Sequence, residues 1–149
     1  MKAVISVGSN IGDAKANLDL AIGLLREATE VISVSSYSQT KPVGGPEQPD
    51  YLNAVAIVES ELSAKDLLAL LNGIETAMGR TREIHWGPRA IDLDLIQFGG
   101  LLVNDEKLTL PHPRAHERHF VLAPWFEIEP EAVLLTHGRI SDLLKTDLE

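Results

Sequence analysis

The sequence contains no cysteine among its 149 residues, which excludes a disulfide framework and a zinc site with thiolate ligands. No segment approaches the roughly 18 uninterrupted apolar residues of a membrane helix. The short apolar start ends at a glycine, which is unlike a signal peptide. We therefore expect a soluble protein of the cytoplasm that has no membrane partner.

Basic side chains are also scarce, since 13 lysines and arginines stand against 22 acidic residues and the net charge is −9. This charge disfavours nucleic acids and anionic membranes as partners. Five of the seven arginines nevertheless fall between residues 80 and 118, where basic and acidic residues are equal in number. Arginines gathered in this way indicate a small anionic ligand. They are Arg80, Arg82, Arg89, Arg114 and Arg118.

Length and composition predict one domain over residues 1–149, because a chain of this size with a 44% hydrophobic share can bury a core of its own. Alternation and valine-rich segments predict strands, and apolar residues at helical spacing predict helices. The predicted elements are a strand at Lys2–Gly8, a helix at 14–28, strands at Glu30–Thr40 and Tyr51–Ser60, a helix from Ser63 to near Gly79 and a strand at Ile91–Phe98. This order is typical of an α+β, ferredoxin-like βαββαβ sandwich, a mainly antiparallel sheet with helices on its faces.

The remaining chain predicts additions to that sandwich. We expect a hairpin over residues 99–110, and a third helix that starts near Pro113 and is disturbed by Pro124. A short last helix is predicted at Ile140–Leu144, capped near Ser141. Residues 41–50 and 80–89 are predicted loops, because both contain proline and glycine.

Asp92 and Asp94 interrupt the apolar fourth strand. Side chains alternate along a strand, so both carboxylates face one side while Ile91, Leu93 and Leu95 face the other. The strand pattern leaves two interpretations open: a solvated sheet face, or a divalent-metal site of the oxygen-rich kind that Mg²⁺ prefers. The flanking arginines, with His112, favour metal and phosphate, since phosphoryl transfer uses both.

A second candidate surface adjoins the third strand. Tyr51 and Asn53 share one face, next to the loop that contains Thr40, Pro42 and Val43. An aromatic ring beside an amide suits a flat heterocycle, although a core tyrosine and a structural asparagine would give the same pattern. Trp86 and Phe120 are further aromatic candidates in a chain with only three Phe, two Tyr and two Trp.

Two other patterns carry less information. The segment GSNIGD precedes a helix, but it lacks the spacing of a phosphate-binding glycine loop and predicts only a turn and a cap. His112, His116 and His119 lack the further ligands that a zinc site requires.

Five ordered segments resemble the 6-hydroxymethyl-7,8-dihydropterin pyrophosphokinase family. Their spacing covers nearly the whole chain, and the R-x-x-D-x-D core after WGP is highly specific. They are VGSNIGD (7–13), TKPVGGPEQPDYLNAV (40–55), GRTRE (79–83), WGPRAIDLDLI (86–96) and LPHPRAHERHFVLAPWFEIEP (110–130).

The resemblance implies an ATP-dependent diphosphotransferase of the folate pathway. Such an enzyme moves pyrophosphate from ATP to the hydroxymethyl oxygen of the pterin and releases AMP. The implied cofactor is a pair of Mg²⁺ ions, and the implied fold is again the ferredoxin-like sandwich. ATP and hydroxymethyl-dihydropterin are then the small-molecule partners, and we expect a monomer.

The resemblance also implies roles for individual residues. Asp92 and Asp94 are the metal ligands, and together with Arg80 and Arg89 they form the catalytic set. The implied pterin-binding residues are Thr40, Pro42, Val43, Tyr51, Asn53, Trp86 and Phe120. The implied ATP-binding residues are Asn72, Glu75, Arg82, Trp86, Lys107, Thr109, His112 and Arg118.

Two other functional classes remain as alternatives. One is a different metal-dependent phosphohydrolase or nucleotidyl enzyme that uses the Asp92/Asp94 pair, and it would not need the aromatic and amide set around Asn53. The other is a ferredoxin-like regulatory module that binds a ligand without catalysis, and it would not need the carboxylate pair with its arginines.

Overall fold

A computed structural model of the chain describes residues 1–41, 50–79 and 90–147. A short 3₁₀ helix at Ala115–Glu117 precedes the third α-helix. The helices are α1 (Ala14–Ala28), α2 (Ala64–Ala77), α3 (His119–Ile128) and α4 (Ile140–Asp147). The strands are β1 (Lys2–Ser9), β2 (Glu30–Val34), β3 (Ser38–Thr40), β4 (Tyr51–Glu59), β5 (Asp92–Phe98), β6 (Val103–Asn104), β7 (Thr109–Leu110), β8 (Val133–Leu134) and β9 (Gly138–Arg139).

The main sheet has five strands in the order β2-β4-β1-β5, with β3 also paired to β4. Every pairing in it is antiparallel. The central strand β1 lies between β4 and β5, and each of its eight residues pairs with one residue of β4. With α1 and α2 as the two crossover helices, this is the ferredoxin-like arrangement, so the predicted α+β fold class is confirmed.

Two apolar layers hold the sheet, one on each face. On one side Ile5 and Val7 of β1 pack with the apolar stripes of α1 and α2. On the other side Val4 packs with α3 and α4, whose residues Trp125 and Ile140 have no exposed surface. Because successive side chains of a strand point to opposite faces, the largely apolar strand β1, buried from Ala3 to Ser9, is suited to this double burial.

Side-chain caps begin the first two helices. The Asp13 carboxylate accepts a hydrogen bond from the Ala16 backbone N–H at 3.0 Å, and the Ser63 hydroxyl accepts one from Asp66 at 3.1 Å. Each bond satisfies one of the backbone donors that a helix start leaves unpaired, and such a cap contributes about 1 kcal/mol.

The predicted second strand, Glu30–Thr40, is wrong in one respect, because it divides into β2 and β3. The break occurs at Ser35, whose hydroxyl accepts the backbone N–H of Val55 at 2.9 Å, in place of a main-chain carbonyl. The next residue, Ser36, donates from its backbone N–H and its hydroxyl to the Glu127 carboxylate on α3. Local side-chain bonds therefore replace the ladder at this point.

The predicted third and last helices also differ from the structure. The third begins at His119 and not near Pro113, because the His112 N–H donates to the Ile96 carbonyl at 2.8 Å and ties this segment to β5. Pro124 lies buried inside α3 without ending it. The last helix begins at Ile140, so Ser141 does not cap it; the unpredicted β8–β9 hairpin leads directly into it.

Over the described ranges, no helix has the length and apolar character needed to span a membrane.

Candidate active site

The Asp92 and Asp94 side chains lie on one face of β5, as the alternation predicts. Their partners on β1 are Gly8 and Ser6, while Leu93 is buried in the core against α1 and α2. Both carboxylates are partly exposed. Residues two apart in a strand are separated by about 6.6 Å, so the extended backbone fixes the spacing of the pair.

Glu75 of α2 supports the same strand from its outer edge. Its side chain is only 2% exposed, and one carboxylate oxygen accepts the Leu93 backbone N–H at 2.9 Å. Leu93 lies between the two aspartates, so the bond holds β5 where their side chains emerge. This contact also satisfies a main-chain donor at the outer edge of β5, where none of the described strands pairs with it.

Residues 112–118 bring positive charge to the aspartates. The guanidinium of Arg118 lies 3.8 Å from a carboxylate oxygen of Asp94, with the two side chains 21% and 32% exposed. The same guanidinium carbon is 5.5 Å from the centre of the Phe120 ring, a cation–π distance. Arg118 therefore connects the carboxylate pair with the start of α3.

His112 is held as a neutral imidazole beside this charge. Burial lowers its pKa from the ordinary 6.5 to about 4, helped by the nearby positive charges of Arg118 and Arg114 and opposed by Asp92. Its Nδ1 accepts the Arg114 backbone N–H at 3.2 Å. Since a neutral ring has one donor nitrogen, the proton lies on Nε2. The ring can therefore donate a hydrogen bond to a phosphate oxygen.

The aromatic and amide set occupies the same face of the sheet, two strands from Asp92. Asn53 is buried, and its Nδ2 donates a hydrogen bond to the hydroxyl of Thr40. Tyr51 is the next residue on that face of β4 and pairs with Thr40. Phe120 is partly buried against the second core. Gly8 is not among the residues that the sequence predicts for the site. Only the strand register shows that it lies between Asn53 and Asp92.

The other predicted site residues are less closely associated with the pair. Asn72 is exposed on α2, and Lys107 is exposed in the turn between β6 and β7, where Thr109 pairs with Asn104. Asn72 therefore lies on α2 and Thr109 on β7, two elements that contact β5 without belonging to the strand that carries the pair. The predictions for Pro42, Val43, Arg80, Arg82, Trp86 and Arg89 lie outside the described residues.

The carboxylate pair provides the donors for a metal. In the ranges that the structure describes, no group of three or more His, Asp or Glu side chains is arranged to hold an ion. Mg²⁺, however, is commonly bound by one or two carboxylates together with substrate phosphates. The donor set of Asp92 and Asp94 therefore fits Mg²⁺ that arrives with a phosphorylated substrate.

Comparison with known proteins identifies the family. The model of the family described as 7,8-dihydro-6-hydroxymethylpterin-pyrophosphokinase (HPPK) matches residues 4–130. The chain belongs to this family. It is accordingly an enzyme, an ATP-dependent pyrophosphokinase of folate biosynthesis.

Individual relatives agree with the HPPK assignment. A 2-amino-4-hydroxy-6-hydroxymethyldihydropteridine pyrophosphokinase of Haemophilus influenzae is 40% identical over 145 residues, which cover 96% of this chain and 91% of the relative. One of Bacillus subtilis is 45% identical over 128 residues, covering 85% and 77%. A crystal structure of Plasmodium falciparum HPPK-DHPS has a TM-score of 0.77 at 14% identity, and the match covers 97% of this chain but 42% of that one. The last similarity concerns the fold alone.

The Glu75 contact leads to a prediction about stability. Glu75→Ala should lower the free energy of unfolding by about 1–3 kcal/mol, because the Leu93 N–H would stay buried without this acceptor. Glu75→Gln keeps an acceptor oxygen, so its free energy of unfolding should fall by less. Urea unfolding at pH 7 measures both, with Glu106→Ala in the exposed β6–β7 turn as the control. An unchanged unfolding midpoint for Glu75→Ala would contradict this role.

His112 leads to a prediction about pH. Its folded pKa, about 4, lies below its ordinary 6.5, so between these values the unfolded chain binds more protons. Its contribution to the stability of the metal-free protein is therefore fully present above pH 6.5 and is lost as the pH falls towards 4. The free energy of unfolding of His112→Asn should vary less with pH in this window than that of the wild type, as measured by thermal unfolding in the presence of a chelator. A constant difference from wild type between pH 4 and 7 would refute it.

Proposed function

We propose that the chain transfers the pyrophosphoryl group of ATP to the hydroxymethyl oxygen of 6-hydroxymethyl-7,8-dihydropterin in a Mg²⁺-dependent reaction. The products are AMP and the pterin diphosphate. One observation carries the proposal: a carboxylate pair and an aromatic–amide pair share one face of the sheet, on strands either side of β1. The first suits metal-bound phosphates, and the second suits a flat, hydrogen-bonding ring.

The pterin lies between the Tyr51 and Phe120 rings in this proposal. Asn53 reads its polar edge, since an amide offers both a donor and an acceptor. Thr40 supports this amide through their hydrogen bond, which is already present. Pro42, Val43 and Trp86 complete the pterin site.

ATP occupies the side of the carboxylate pair that faces residues 107–118. Arg118 and the Nε2–H of His112 donate to its phosphate oxygens, and charge-assisted bonds of this kind are strong. The other nucleotide-binding residues of the proposal are Asn72, Glu75, Arg82, Trp86, Lys107 and Thr109. Of these residues, Glu75 also accepts a hydrogen bond from the Leu93 N–H, through which it supports β5.

Asp92 and Asp94 hold the two Mg²⁺ ions of the proposed reaction. When bound, Mg²⁺ neutralises phosphate charge and makes an oxygen nucleophile more acidic. The Asp94 carboxylate also keeps Arg118 near the phosphates, because their charges attract across 3.8 Å.

The transfer is a direct displacement at phosphorus. The hydroxymethyl oxygen of the pterin forms a bond to the β-phosphorus of ATP, and the bond between that phosphorus and the α,β-bridging oxygen breaks. AMP departs with the bridging oxygen, and the hydroxyl proton is released. Such a reaction depends mainly on in-line placement and on charge neutralisation. Rigid strands supply the placement, and Arg80, Arg89 and Arg118 neutralise charge.

The proposal includes the state of the protein. A single domain over residues 1–149 acts as a monomer in the cytoplasm, with small molecules as its partners. A chain without cysteine suits a reducing compartment, and a net charge of −9 disfavours nucleic acids and anionic membranes.

The reaction products test the proposed function. A mixture of the protein, ATP, Mg²⁺ and the hydroxymethyl-dihydropterin should yield AMP and the pterin diphosphate in equal amounts, measured by mass spectrometry. Omission of Mg²⁺ should stop both products. Formation of ADP, or of AMP without the pterin, would instead favour another phosphohydrolase or nucleotidyl enzyme that uses the Asp92/Asp94 pair.

Substitution of the carboxylates tests the metal site. Asp92→Asn and Asp94→Asn should each lower kcat by at least about 100-fold, since loss of outer-shell partners alone costs 10–100-fold at metal sites. Both proteins should stay folded, because their carboxylates are partly exposed. Mn²⁺ binding in the presence of an ATP analogue, followed by electron paramagnetic resonance, should weaken in parallel. Asp66→Asn on the exposed start of α2 is the control. Unfolding of either variant would indicate a structural role.

A further inference from the structure

Gly8 occupies the middle of the row that joins the two halves of the site. On β1 it pairs with Asn53 of β4 on one side and with Asp92 of β5 on the other. Paired residues of antiparallel strands point to the same face, so a side chain at residue 8 would stand between the amide and the carboxylate. Two strand spacings separate Asn53 from Asp92 by about 10 Å.

The space above Gly8 is already used by its neighbours. A Cβ atom on Gly8 would lie 2.8 Å from Oδ1 of Asn53 and 3.5 Å from Cδ1 of Tyr51. The first distance is too short for a real contact, while the second is ordinary van der Waals contact. The Asn53 amide therefore leans over Gly8 with its oxygen, while its nitrogen donates to Thr40 on the other side.

The reason for glycine at this position is steric. Gly8 lies inside an extended strand and is not among the glycines with positive φ, which in the described ranges are Gly12, Gly79, Gly99 and Gly138. An alanine could therefore adopt the backbone conformation. The conflict is with the end of one side chain, so the Asn53 amide would move while the strand pairing remained.

We infer that Gly8 is a positioning residue for pterin recognition: its missing side chain sets the position of the Asn53 amide over β1. This inference rests on the proposed function, in which Asn53 reads the pterin. Gly8 has no role in ATP binding in this inference, because ATP lies on the far side of Asp92.

A double-mutant cycle tests the inference with 6-hydroxymethylpterin as the probe. Binding to the full chain is measured by pterin fluorescence with Mg²⁺ and a non-hydrolysable ATP analogue, and binding of the analogue is measured separately. Gly8→Ala should weaken pterin binding at least about tenfold, a loss in the range of one buried polar contact, and should leave the affinity for the nucleotide unchanged. Asn53→Ala should weaken pterin binding as well.

The double variant distinguishes positioning from a general structural effect. In the Asn53→Ala background Gly8→Ala should cause no further loss, because the atom that it displaces is absent. The thermal midpoint of the double variant, Gly8→Ala with Asn53→Ala, should equal or exceed that of Asn53→Ala alone, since alanine suits a strand interior better than glycine. This comparison holds even if Gly8→Ala alone folds poorly. Gly23→Ala on α1, where a Cβ meets nothing within 4 Å, is the matched control.

Each other outcome overturns the inference. Wild-type pterin affinity in Gly8→Ala, additive losses in the double variant, or an equal loss of nucleotide affinity would each show that Gly8 does not act through Asn53. Failure of the wild-type protein to bind the pterin at all would instead refute the proposed function, and the inference with it. The two failures are therefore separable by the wild-type measurement.

Discussion

The register of β1 between β4 and β5 is the constraint on which the rest of the structure depends. It aligns Asp92, Gly8 and Asn53 in one row across the sheet. A slip of one residue in β5 would turn both aspartates into the core and Leu93 out of it. Burial of unpaired carboxylates is far too costly to compete. The apolar contacts that fold the sheet therefore also determine where the site lies.

Burial on both faces of the sheet gives this site a rigid base. The α1/α2 layer covers one face, and the α3/α4 layer covers only part of the other. At the end of that second face the polar side chains of β3, β4 and β5 take the place of the apolar core. Phe120 and Arg118 stand where α3 begins, so the helix contributes to the site at the boundary between core and cleft. Groups mounted on strands keep their spacing better than groups on loops do.

The site gathers positive side chains, although the chain as a whole is negatively charged. The protein carries a net charge of −9, yet Arg118 lies against Asp94. Burial, helped by the positive charges of Arg118 and Arg114, lowers the pKa of His112, so that its ring is neutral. A neutral imidazole retains a donor proton without a further positive charge beside the guanidinium. Glu75 adds a buried carboxylate at the outer edge of β5, where it accepts the backbone N–H of Leu93. The ion pair with Arg118 therefore lies on a face of the strand, and the hydrogen bond with Glu75 lies at its edge.

Local patterns in the sequence determined the element types, the caps at Asp13 and Ser63, and the division of β5 into an apolar and a carboxylate face. These features depend on neighbours within a few residues, so periodicity and capping rules reveal them. The tertiary structure alone decided the register between neighbouring strands, and with that the row through Gly8. It likewise decided the contact between Glu75 and Leu93, the break at Ser35 and the late start of α3. Each depends on a partner far along the chain, and no short-range pattern encodes the identity of that partner.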